Sequence, residues 1–181
     1  MNRNPGTRRL QFFVCISAAL VLAACAASAL KQRASTPAMK PSITYLHLLR
    51  HTPFFTQLDT GQLRWVIQHS REWEVLPGTL LVSDTLAEER AGYWILLDGG
   101  WTLDYRGIAH SSGHADPGKW FEAGQLPGAF QLLANTHSYV MHIAASDMQD
   151  MLGRNFKFEQ HLAQGQDFYR QLSASWSSAE H

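Results

Sequence analysis

Residues 93–106 read Tyr93-Trp94-Ile95-Leu96-Leu97-Asp98-Gly99-Gly100-Trp101-Thr102-Leu103-Asp104-Tyr105-Arg106. Tyr93 to Leu97 is an apolar run of strand length. Gly99-Gly100 turns the chain. Beyond it, Trp101, Leu103 and Tyr105 alternate with Thr102, Asp104 and Arg106, the period of a strand with one face buried. Two strands joined by a glycine turn set the expectation of a β core.

Working outward, period two continues. Trp73 and Val75 alternate with Glu72 and Glu74, Pro77-Gly78 makes a turn, and Thr79 to Val82 continues as a strand. Ile108 to Gly118 reads as a loop. Phe130 to Ala134 and Tyr139 to Ala144 read as two more strands. The ends are helical. Ile43 to Arg50 is a short helix stopped by Pro53, and Asp59 or Thr60 caps a second helix reaching about His69, with Leu63, Val66 and Ile67 at helical spacing. Ser146 with Gln149 reads as a capping box, and a longer helix is expected from about Asn155 to Ser173. The expectation is a mainly β domain with flanking helices, without internal repeat or second domain.

This order of parts resembles the cyclic-nucleotide-binding domain of catabolite-type regulators and kinase regulatory subunits. Leu49-x3-Pro53-Phe54-Phe55-x2-Leu58 followed by Leu63 is similar to the family's opening helices. Leu76 to Leu81 is similar to its first strand turn, and Tyr93 to Gly99 to its central strand. Pro117-Gly118-Lys119-Trp120-Phe121 resembles the start of its phosphate-binding cassette. The resemblance runs from Leu48 to about Leu172 and implies a β-roll, a double-stranded β-helix of jelly-roll type.

It also implies a site. In the family the cassette reads Phe-Gly-Glu, and an arginine follows near the next strand. The glutamate holds the ribose hydroxyl, while the arginine and backbone N–H groups hold the cyclic phosphate. Here Phe121-Glu122-Ala123-Gly124 loses that order, and no Lys or Arg occurs from Trp120 to Gly153. Thr136 or His137 falls about where the arginine belongs. A phosphate drawn from water needs a charge-assisted, bidentate partner, which neutral Thr or His does not supply. The resemblance places Trp120, Phe121, Glu122, Thr136 and His137 in the ligand pocket. Its cassette is degenerate, and an uncharged small ligand or a protein partner is the expected occupant. A genuine cyclic-nucleotide sensor using Glu122, His137 and backbone amides is the alternative.

The first 24 residues are a leader. Arg3, Arg8 and Arg9 precede the apolar run Leu10 to Ala24, which ends in Leu22-Ala23-Ala24-Cys25. That ending resembles the lipobox of bacterial lipoproteins. It implies cleavage before Cys25 and acylation of that residue with palmitate-type chains. Ala26 rather than Asp after the cysteine implies an outer-membrane destination facing the periplasm. The alternative is an uncleaved anchor, because residues 10–30 approach the roughly 20 apolar residues that span a bilayer. Both readings place the rest of the chain in the cell envelope. Cys15 and Cys25 are the chain's 2 cysteines, which excludes a disulfide or a thiolate metal site in residues 26–181. Residues 25–42, with Pro37 and Pro41 and no periodicity, read as a flexible tether. The domain is expected at 43–173 and a tail at 174–181.

Other chemistries find little support. The 181 residues carry 15 basic and 15 acidic side chains, and this neutrality argues against nucleic acid, whose phosphates call for a basic patch. The nine residues after Leu172 leave no room for a helix-turn-helix domain. Losing the leader arginines leaves twelve basic against fifteen acidic residues, so membrane attachment must be covalent. No nucleophile elbow and no phosphate-cradling glycine loop occurs, so no catalytic residue and no cofactor is expected. His110, His114, His137 and His142 lack the His-x-His pair of the cupins, so no metal is expected, and a cupin-like metal enzyme is the second alternative. The tryptophans at 73, 94 and 101 fall on strands, which favours core packing over a sugar-binding or membrane face. Phe158, Leu162, Gly165, Tyr169 and Leu172 recur at 4, 3, 4 and 3 residues. That seam serves either a homodimer, as in the regulators, or packing on the roll.

Overall fold

The structure, a computed structural model, describes residues 39–177. The leader, Cys25 and residues 178–181 lie outside the described residues. Among the described residues nine strands form two antiparallel sheets. One sheet has the order β1–β2–β9–β4–β7, built from Lys40–Ser42, Ser70–Val75, Ser138–Ile143, Tyr93–Asp98 and Trp120–Glu122. The other has the order β3–β8–β5–β6, built from Leu80–Ser83, Phe130–Ala134, Gly100–Tyr105 and Ile108–Gly113. Among the described residues four α-helices flank them: α1 Leu46–His51, α2 Thr60–Gln68, α3 Ala145–Gly153 and α4 Glu159–Ser177. This is the mainly β roll with flanking helices that the sequence leads one to expect.

The apolar run in β4 has a direct cause. Ile95 and Leu97 point into a core beneath the helices, with Leu49, Phe55, Leu63, Met148 and Phe158. Trp94 and Leu96 point into the roll, with Trp101, Tyr105, Phe121, Leu132 and Val140. A strand buried on both faces needs apolar residues at every position. β5 alternates because only its inner face is buried, and Trp101, Leu103 and Tyr105 are 1–2% exposed. The turn between β4 and β5 is pressed against Ser138. A Cβ at Gly99 (φ +86°) would stand 2.4 Å from the Ser138 Oγ. Only glycine fits there.

Several local expectations are corrected. Ile108–Gly113 is a strand, paired residue for residue with β5 from Tyr105↔Ile108 to Gly100↔Gly113. It is the free edge of its sheet, so small polar residues suffice. Arg106 (φ 52°) and Gly107 (φ 83°) form the two-residue turn that the strand twist favours. Lys40–Ser42, assigned to the tether, is an edge strand on β2, with Lys40 paired to Glu74 at 3.3 Å. Trp120–Glu122 is also a strand. The first helix begins at Leu46, not Ile43. No side chain caps α3: its N-cap is Ala144, and Ser146 already lies inside the helix. The capping box belongs to α2, where the Asp59 carboxylate accepts from the Gln62 N–H at 2.8 Å and the Gln62 side chain accepts from the Asp59 N–H at 3.1 Å. Asn155 does not start the last helix. Its φ of 59° ends α3, and the Phe156 N–H returns to the Met151 carbonyl.

The seam on α4 is used within the chain. Phe158, Leu162, Tyr169 and Leu172 are each at most 9% exposed, packed against the chain's own cores. The stripe packs on the chain's own roll, one of the two uses that its spacing allows. Gly165 lets α4 approach, because a Cβ there would stand 2.2 Å from the Trp120 Nε1.

Candidate functional site

The residues corresponding to the cassette are spent on packing. The Trp120 indole N–H donates to the His161 carbonyl at 2.8 Å, and the Tyr169 hydroxyl donates to the Trp120 carbonyl at 2.5 Å. The ring of Phe121 lies 5.3 Å from Phe130 and 5.6 Å from Tyr169, all inside the roll. The Trp101 indole N–H closes the same region on the Gly118 carbonyl at 2.8 Å. Burial alone pushes the Tyr169 phenol far above its ordinary range. Where a ligand pocket was expected, aromatic rings fill the roll.

The five expected ligand residues do not converge. Trp120 and Phe121 are fully buried. Because Phe121 points into the roll, Glu122 points to the other face of β7, opposite Tyr93. There burial, with the Glu122 charge, pushes the Tyr93 phenol up to about 12. The Gln125 amide also donates to Glu122, at 3.4 Å. Thr136 and His137 sit in the β8–β9 turn. β9 pairs with β4 so that Ile143 meets Tyr93 and Tyr139 meets Asp98. Glu122 and His137 therefore lie at opposite ends of β4, roughly 17 Å apart at ~3.3 Å per strand residue. His137 is bonded at 2.9 Å to Glu74, whose carboxyl it holds below the usual range together with Lys40. Thr136 and His137 follow β8 rather than precede it. The strand after Glu122 is β8, so the connection to it is residues 123–129. Arg106 reaches that connection from the β5–β6 turn, lying alongside Gly128 and over the Tyr105 ring at 5.4 Å. No local motif signals this cation, since only strand pairing brings it there.

A cleft of about 670 Å³ opens at one end of the roll. A cross-strand row supplies its core: Arg71 pairs with His142 on β9, and His142 pairs with Trp94 on β4. The Trp73 ring adjoins Trp94 at 5.6 Å. His142 donates from Nε2 to the Ala91 carbonyl at 2.8 Å. Burial holds this imidazole below the ordinary histidine value, and the Arg71 charge adds to the effect. Arg90 bridges to the other sheet, donating to the Leu80 carbonyl at 2.8 Å and to the Leu81 carbonyl. Sequence reading treated Trp73 and Trp94 as core, and the cleft depends on strand register that no short motif encodes.

Among the described residues no group of three or more His, Cys, Asp or Glu could hold a metal ion, and no helix is long and apolar enough to cross a membrane.

No family model and no curated protein matches this chain by sequence. Solved structures do. A candidate cyclic nucleotide-binding protein from Geobacter metallireducens GS-15 is 19% identical, with TM-score 0.50, covering 72% of this chain and 98% of its own. cAMP-bound PfPKA-R (141–441) is 16% identical, with TM-score 0.55, over 74% of this chain and 46% of that one. A CooA variant from Carboxydothermus hydrogenoformans is 12% identical, with TM-score 0.54, over 72% and 86%. The architecture is that of the cyclic-nucleotide-binding-like β-roll. At these identities the likeness concerns the fold alone.

Proposed function

We propose that the chain is a non-enzymatic, lipid-anchored module of the bacterial cell envelope, whose roll is a scaffold closed to cyclic nucleotides. The observation that carries this reading is the filled roll: Trp101, Tyr105, Phe121 and Phe130 occupy its interior at 4% exposure or less. The segment from Trp120 to Gly153 carries no Lys or Arg of its own, and Arg106, which reaches it, lies over the Tyr105 ring. Recognition then falls to the outer surface and the cleft at the roll's end, toward an uncharged small ligand or a protein partner. The anchor rests on Leu22 to Cys25 alone. In cells fed labelled palmitate, the wild type should take up label and fractionate with outer membranes. Cys25→Ser should remain an uncleaved, unlabelled precursor. Equal labelling of the two would end the lipoprotein reading.

A further inference from the structure

We infer that the cleft at the end of the roll is a binding site for a neutral saccharide. The inference rests on the reading of the chain as a binding module and names the class of ligand. A pyranose offers a face of C–H bonds and a rim of hydroxyls that both donate and accept. Its complement is an indole beside several planar polar groups. The cleft supplies both. Trp73 is partly buried and lines it, backed by Trp94. Around them stand Gln68, Arg71, His142 and Asp147.

Three observations favour this class over others. First, the charges balance: Arg71, Arg90, Glu89 and Asp147 all line the cleft, and Arg90 is already held by the Leu80 and Leu81 carbonyls. An anionic ligand would gain little net attraction and would meet two carboxylates. Second, polar capacity is left over. Gln68 and Arg71, which line the cleft, make no side-chain hydrogen bond or ion pair among the described residues. A purely apolar occupant would leave these groups unsatisfied, at a cost in affinity. Third, about 670 Å³ lies within the range of small-ligand sites and accommodates more than one sugar ring.

The test uses the purified full chain, held in a detergent without a sugar headgroup. Maltotriose, which bears hydroxyls only, and chitotriose, which bears N-acetyl groups, are titrated while tryptophan emission and ligand saturation-transfer NMR are followed. At least one probe should bind saturably and shift the emission. Gln68→Ala and Arg71→Ala, both at the cleft rim, should each weaken binding about tenfold, with the circular dichroism spectrum unchanged. Trp73→Phe should retain part of the affinity that Trp73→Ala loses. The inference is overturned if neither probe binds at millimolar concentration. It is equally overturned if binding ignores Gln68→Ala and Arg71→Ala, or if a peptide displaces the sugar-free emission signal and the sugars do not. Absence of sugar binding with the roll still closed would defeat this inference alone. Cyclic AMP perturbing Phe121 and Phe130 would instead defeat the closed-roll reading.

Discussion

Replacing Gly165 by alanine sets two effects against each other. On an isolated helix the change gains about 1 kcal/mol, because glycine is the poorer helix former. In this fold the new methyl would stand 2.2 Å from the Trp120 Nε1, 2.5 Å from Cε2 and 2.9 Å from Cζ2. Trp120 has little room to yield, being 0% exposed and tied to the His161 carbonyl. Overpacking of a filled core costs about 1–3 kcal/mol. Breaking the indole hydrogen bond adds about 0.5–1.5 kcal/mol. Packing wins, and Gly165→Ala should lose about 1–3 kcal/mol net. Gly153→Ala is the matched control: nothing lies within 4 Å of its added Cβ, so it should gain up to about 1 kcal/mol. Urea unfolding followed by tryptophan fluorescence measures both. If Gly165→Ala is as stable as the wild type, α4 does not pack on Trp120 as described.

Asp59→Ala removes the carboxylate arm of the α2 capping box and should cost about 1 kcal/mol, whereas Ser146→Ala should change the urea midpoint little, because Ser146 caps nothing. Stability should also fall as pH drops below about 6.5, the ordinary histidine value. Burial holds His142 and His161 below it, so the unfolded chain binds protons that the folded chain refuses. His161, stacked on Phe54 with both ring nitrogens unpartnered among the described residues and beside Lys119, should contribute to that slope. His161→Leu should flatten the urea midpoint between pH 7 and pH 5.5, and an unchanged slope would remove His161 from the account.

The fold was legible where burial leaves a pattern. The both-faces-apolar β4, the alternating β5 and the glycine turn between them are forced by what each face meets. Residues on sheet edges were not legible in that way. Ile108–Gly113 and Lys40–Ser42 have little to bury, so they lack apolar periodicity and read as loop and tether. The α4 stripe was visible, but its target was not, because a partner helix and the chain's own sheet both select the same spacing. The placement of the pocket residues was not legible for a related reason. Glu122 sits one residue from Phe121, and that single step along a strand turns it to the opposite face. The Trp73–Trp94–His142 cleft and the Arg106–Gly128 approach arise from pairing between distant strands, which no local motif records.

The central claim, a roll filled by its own aromatic residues, is tested most directly by titrating the full chain with cyclic AMP and cyclic GMP in a calorimeter while following the NMR signals of Phe121 and Phe130. A Kd of 1 μM corresponds to about −8.2 kcal/mol, and charge-assisted hydrogen bonds of about 1.5–3 kcal/mol each are absent from the cassette. The account predicts no saturable heat at micromolar concentration and unmoved core resonances. Saturable micromolar binding that shifts Phe121 and Phe130 would contradict it.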